Sequence, residues 1–181
     1  MIILLRNFLY LLLLSVFFSA CGGSGSTDVS TSASPASFVA EKSAVPGSVT
    51  LQDGGGTGDT IYIDVVLTDV NNVFSTSIYL DYDPLVVNWS GSSSSGDFLE
   101  KSGSSPVYSL SLQNGIEGTL VIGISLLNPA TPVSGSGTMV TIPFKVLARG
   151  SSPVTFSNLQ VFNALPSEIG VSSGGGTITI L

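Results

Sequence analysis

Between Thr60 and Thr68 the chain alternates residue by residue, so that Ile61, Ile63, Val65 and Leu67 fall on one side. A period of two sends successive side chains to opposite faces, which predicts a strand with one buried face. Phe74 to Asp81 repeats the pattern, with Phe74, Thr76, Ile78 and Leu80 against Ser75, Ser77, Tyr79 and Asp81. Tyr108 to Leu112 and Thr119 to Leu126 alternate in the same way. Shorter apolar runs at Val49–Leu51, Val86–Trp89, Met139–Leu147, Val154–Phe156 and Thr177–Leu181 bring the expectation to about nine strands at sandwich-like spacing. No window beyond residue 44 carries a helical stripe. Asn114-Gly115 between two alternating runs predicts a hairpin, and Gly54-Gly55-Gly56, Gly135-Ser136-Gly137 and Gly174-Gly175-Gly176 supply permissive backbone for tight connections. The fold class predicted is all-β, an antiparallel β-sandwich of two packed sheets.

The first 43 residues break this pattern. Met1 to Asn7 carries one positive side chain, Arg6, and leads into a mostly apolar stretch from Phe8 to Phe18 that ends at Ser19-Ala20-Cys21. That is the layout of an export signal. The apolar run, about 11 residues, falls short of the roughly 20 that a helix needs to cross the hydrocarbon core. Phe18-Ser19-Ala20-Cys21 resembles the cleavage site of bacterial lipoprotein signal peptides, where small residues precede a lipidated cysteine; the family prefers Leu where Phe18 stands. The resemblance implies residues 1–20 as signal peptide and a lipid anchor on Cys21 that attaches the mature chain to a membrane, since two or more acyl chains hold stably. Gly22 is not the Asp that retains lipoproteins at the inner membrane in some bacteria, so the expected location is the cell envelope at the outer membrane or cell surface. Residues 21–43, rich in Gly, Ser, Thr and Ala at their start, read as the lipidated cysteine and a flexible linker. Residues 44–181 then form one domain of ordinary size.

Composition narrows the chemistry. The formal charge is -7, the chain has no His, and Cys21 is its only cysteine. Nucleic acid is not an expected partner of so acidic a chain. An internal disulfide, a His or multi-Cys metal site and a His-based catalytic dyad are excluded by inventory.

Six segments taken in order resemble the cohesin domain, the β-sandwich module that anchors dockerin-bearing enzymes in cellulosomes and related surface assemblies. They are Gly58-Asp59-Thr60 leading into Val65-Val66-Leu67, Leu80-Asp81-Tyr82-Asp83-Pro84, Gly96-Asp97-Phe98-Leu99, Gly135 to Val146, Ser157-Asn158-Leu159, and Gly176-Thr177-Ile178-Thr179-Ile180. The resemblance implies a nine-stranded jelly-roll sandwich, no catalysis, and docking of a dockerin-containing protein on one flat sheet face. Carried onto this chain, the face takes Ser75, Ser77, Tyr79 and Asp81 from one strand, Ser109 and Ser111 from another, and Thr119, Val121, Gly123 and Ser125 from their neighbour. Well-known cohesins carry an Asn and an Asp where Ser75 and Ser77 stand, so the recognition residues depart from the family.

Other constellations have a chemistry of their own. Asp81 and Asp83 sit two apart, as a hydrolytic carboxylate pair could, but Asp83 precedes Pro84 where a turn residue belongs. Asp64, Asp69, Asn71 and Asn72 offer oxygen ligands without the spacing of a calcium loop, so Asp69 to Asn72 reads as a turn; no metal and no cofactor is expected. Trp89 with Tyr79 could stack on sugar rings, against the reading of Trp89 as core or edge packing. Asn88-Trp89-Ser90 fits a glycosylation sequon that a bacterial lipoprotein would seldom use. Three roles stay open at this stage: docking of a protein, direct binding of a polysaccharide, and a structural part in an envelope assembly.

Overall fold

The computed structural model describes residues 36–181. The signal segment 1–20, Cys21 and the following residues to 35 lie outside the described residues. Twelve strands run in chain order as β1 (Ala36–Ala40), β2 (Ser48–Thr57), β3 (Thr60–Val73), β4 (Ser75–Asp81), β5 (Val87–Trp89), β6 (Ser94–Ser95), β7 (Val107–Leu112), β8 (Thr119–Ser125), β9 (Val133–Val146), β10 (Gly150–Phe162), β11 (Ser172–Gly174) and β12 (Gly176–Ile180). One sheet has the order β1-β12-β10-β4-β8-β7; the other has β11-β2-β3-β9-β5, with β6 also paired to β9. The sandwich predicted from the alternation is therefore present, and each of the nine expected strands is found.

Its boundaries correct the sequence reading in three places. β1 lies inside the stretch assigned to the linker, residues 21–43, so the sheet begins at Ala36 and not near residue 44. The reason is one side chain: Phe38 is 7% exposed, and its ring occupies the space over Gly176 where a Cβ would stand. β6 and β11 are two- and three-residue strands without an apolar pattern, and β11 runs parallel to β2, which makes that sheet mixed instead of purely antiparallel.

The core is the pair of inner faces. On β3, Ile61, Ile63, Val65 and Leu67 are buried while Tyr62, Asp64, Val66 and Thr68 are half-buried; on β4, Thr76, Ile78 and Leu80 are buried between half-buried neighbours. Leu120, Ile122 and Ile124 of β8 and Ile142 and Phe144 of β9 complete the layer. Each such side chain contributes on the order of 1.5–3 kcal/mol by leaving water. Of the buried polar side chains, the Ser48 hydroxyl donates to the Val45 carbonyl at 2.6 Å, and the Ser152 hydroxyl accepts from the Asp83 N–H at 2.9 Å.

Thr76 is the exception, because its buried hydroxyl oxygen has no hydrogen-bond partner among the described residues. A buried hydroxyl left unpaired costs about 1–3 kcal/mol. Thr76→Val, which keeps the shape and removes the hydroxyl, is expected to stabilise the domain by about 1 kcal/mol and to raise the melting temperature by roughly 3 °C in calorimetry.

Candidate binding face

The outward side chains of β4 meet those of both neighbours in register. Ser75 pairs with Ser125, Ser77 with Gly123, Tyr79 with Val121 and Asp81 with Thr119. On the far side of β8, Ser109 lies opposite Gly123 and Ser111 opposite Val121. All ten residues expected on the face therefore share one surface of one sheet. The Thr119 hydroxyl donates to Asp81 Oδ1 at 2.7 Å, and the Ser125 hydroxyl donates to the Leu126 carbonyl at 2.7 Å. Gly123 sits at the centre between Ser77 and Ser109, so the middle row is a trough of small side chains bordered by Tyr79 and Val121.

The sequence reading missed a fourth strand of this surface. β10 pairs with β4 so that Asn158 stands beside Tyr79, Gln160 beside Ser77 and Phe162 beside Ser75. Val161, next to Phe162, is fully buried, so Phe162 points outward. The register shift between Phe156 and Asn158 explains the omission. Buried or core-packed positions of β10 are even before it (Ser152, Val154, Phe156) and odd after it (Leu159, Val161), and a single alternating pattern cannot show that. The signal that could have found the strand is the second alternation alone, Asn158 to Phe162.

The rival constellations come apart in three dimensions. Asp81 is held by Thr119, whereas Asp83 Oδ1 accepts the Leu85 N–H at 2.9 Å and its carbonyl accepts the N–H groups of Val86 and Val87, the work of a turn residue. Asp64 accepts from the Thr141 hydroxyl across the β3/β9 pair. Asp69 and Asn72 adopt positive φ, and their N–H groups donate to the hydroxyls of Ser136 and Ser134, each at 2.9 Å. Trp89 and Tyr79 belong to different sheets and cannot form one platform; the Trp89 ring packs against the core and its Nε1–H donates to the Ser92 carbonyl at 3.0 Å. Asn88 donates to Glu117 and accepts from the Tyr82 hydroxyl at 3.2 Å.

On the opposite sheet, the segment after β6 is clamped to β9. Asp97 Oδ1 accepts the Thr138 N–H at 2.9 Å, its Oδ2 lies 3.4 Å from Lys101 Nζ, and Lys101 donates to the Ser136 carbonyl at 2.6 Å. Desolvation pushes the Asp97 carboxyl up, but the Thr138 N–H, the hydrogen bond and charge of Lys101, and its own N–H together outweigh it and hold the group below its ordinary 3.8. A depressed carboxyl stabilises the fold in its charged state, so this contribution is complete above about pH 4 and is lost as pH falls through the folded value. The protection of the Thr138 amide against exchange, relative to its neighbours in β9, is expected to fall as pH drops through the folded value of Asp97, and Asp97→Asn should remove that pH dependence.

A model of the cohesin domain family matches residues 45–179. No curated protein matches the chain by sequence. Solved structures similar to it include a type II cohesin domain from the cellulosome of Acetivibrio cellulolyticus, with 16% identity and a TM-score of 0.60 over 76% of this chain and 96% of that one. The sixth cohesin of scaffoldin B from the same organism, solved in complex with a Cel5 dockerin, gives 13% identity and a TM-score of 0.60 over 74% and 97%. A non-cellulosomal cohesin from the hyperthermophilic archaeon Archaeoglobus fulgidus gives 15% identity and 0.56 over 73% and 89%. At these identities the structures speak for the sandwich alone, and the family model, spanning most of the chain, establishes that this protein belongs to the cohesin domain family.

Proposed function

We propose that this protein is a non-catalytic binding module, held to the cell envelope by lipid on Cys21, that docks a dockerin-containing protein on the outward face of β10, β4, β8 and β7. The observation that carries the reading is the register itself. The outward positions of four adjacent strands form one continuous surface, and Asp81 is the single charged side chain among them. A flat, nearly uncharged face suits a partner that contributes hydrogen bonds and apolar contacts more than opposite charge. Direct sugar stacking has less support, because Trp89 and Tyr79 lie on separate sheets. Polysaccharide enters this reading through the partner, as the substrate of a dockerin-bearing enzyme.

The decisive experiment uses the full chain as bait against the secreted and envelope proteins of its own cell, with and without a calcium chelator. Dockerins fold around calcium, so recovery of a dockerin-containing protein that is lost on chelation is the expected result. Recovery of no such protein overturns the reading. The anchor is tested separately: Cys21→Ser should shift the protein from the membrane to the soluble envelope fraction. If the Cys21→Ser protein, with its signal cleaved, still sediments with membranes, lipid on Cys21 is not what holds it.

A further inference from the structure

At the Phe162–Ser75–Ser125 row the outward face runs into a pocket of about 330 Å3, lined by Phe74, Phe162, Ser75, Ser125, Asn128 and Pro166. Its floor is fixed by the sheet. The Phe74 N–H donates to the Phe162 carbonyl at 2.8 Å, and the Leu126 N–H donates to the Phe74 carbonyl at 2.9 Å. One wall is a loop closed on itself: Asn163 Oδ1 accepts the N–H groups of Leu165 at 2.8 Å and Ser167 at 3.1 Å, and the Asn163 N–H donates to the Ser167 carbonyl at 3.0 Å. The pocket is thus formed before anything binds, which lowers the ordering cost of filling it.

Its surroundings specify what would fill it. Phe162 turns away from the core, and Leu165, Leu127 and Val107 stand nearby on the loops and strand end, 83%, 61% and 50% exposed. The side chains of Ser75 and Asn128 make no hydrogen bond among the described residues and can orient a guest at the mouth. Asp81 lies at the opposite end of β4, and the exposed Glu168, bridged to Phe162, is the carboxylate at this end, so the lining of the pocket itself is uncharged. Interfaces with few charges concentrate their energy in a large apolar side chain seated in a preformed, desolvated pocket. The volume stands at the small end of the roughly 300–1,000 Å3 that ligand clefts span, which fits one side chain better than a cofactor.

We propose that this pocket is the anchor socket of the docking face, receiving one large aliphatic or aromatic side chain of the protein partner. The inference rests on the docking reading of the face and deepens it by assigning the energetic centre to the Phe162 end, not to Ser75 and Ser77 alone.

The test compares four full-length baits, wild type, Gly123→Arg, Ala164→Trp and Phe162→Ala, by calorimetric titration with the dockerin-containing protein that the wild type recovers. Ala164 is an exposed loop residue on the pocket wall, so Ala164→Trp fills the socket without changing any residue of the sheet. The expected result is a loss of affinity of at least about tenfold in both socket variants, with the melting temperature of Ala164→Trp unchanged. If Gly123→Arg abolishes binding while both socket variants bind like wild type, the socket is overturned and the docking face stands. If Gly123→Arg also binds like wild type, or if no dockerin-containing protein is recovered, the reading of the face and the socket fall together.

Discussion

Gly96→Ala should lower the melting temperature by about 10 °C, corresponding to a loss of roughly 3 kcal/mol in a domain of this size. Gly96 donates its N–H to the Met139 carbonyl at 3.0 Å, and the Phe98 N–H donates to the Thr138 carbonyl at 2.9 Å. Between them Asp97 accepts the Thr138 N–H. These three bonds press the segment edge-on against β9 and drop Phe98 and Leu99, both buried, into the core. A Cβ on Gly96 would overlap the carbonyl group of Thr138 and lie 2.8 Å from the carbonyl carbon of Met139. Those atoms are backbone in a central pairing of the sheet and cannot rotate away. Relief comes only by parting the segment from β9, which unpairs buried polar groups and withdraws Phe98 and Leu99. Gly170→Ala serves as the control, because nothing stands within 4 Å of its Cβ, and it should change stability by no more than about 0.5 kcal/mol. Calorimetric melting of the two variants decides the matter; equal melting temperatures would show that the segment does not pack on β9 in this way.

The strands that are easiest to read are those whose pattern is set by one buried face along their whole length. β4 and β8 alternate without interruption, and β3 does so as far as Thr68, so both their existence and the side of each residue follow there from period two. The candidate face inherits that legibility, since eight of its ten expected residues come from β4 and β8. What failed has a local cause each time. β1 offers a single buried anchor, Phe38, in an otherwise small and polar stretch, and its partner, the bare backbone at Gly176, is far away in sequence. β11 is Ser172-Ser173-Gly174, whose strand character comes wholly from parallel pairing with β2. β10 changes phase at a bulge, which hid Asn158, Gln160 and Phe162 from the face. Strand order is a third kind of information that no local pattern carries. Trp89 and Tyr79 are ten residues apart in the chain and on different sheets, and only the pairing of β5 with β9 and of β4 with β8 reveals it.

Gly123→Arg is expected to abolish docking, by at least about 100-fold in affinity, without weakening the fold. The two halves of this expectation have separate grounds. For the fold, a Cβ at Gly123 meets only the Cβ of Ser109 at 4.0 Å, and the backbone there lies outside the left-handed region, so any L side chain is accommodated. Glycine within a strand costs about 0.5–1 kcal/mol relative to alanine, and the variant should melt at or slightly above the wild-type temperature. For docking, the introduced guanidinium would rise from the centre of the trough between Ser77 and Ser109, where no carboxylate is within the same row to receive its charge. A partner lying flat on the face would have to bury that charge unpaired or withdraw from all four strands. Gly123→Ser, which extends the serine row, should change affinity by no more than about threefold and separates bulk and charge from the mere loss of glycine. Because Asp81 on β4 is the one charge among the outward side chains of the four-stranded face, with Glu168 beside Phe162 at its border, wild-type binding should also vary by less than about threefold between low and moderate salt. Wild-type affinity in Gly123→Arg, measured on protein shown to be folded, would place the partner on another surface; steep salt dependence would instead point to the acidic remainder of the molecule, since a strongly screened interaction requires more charges than this face carries.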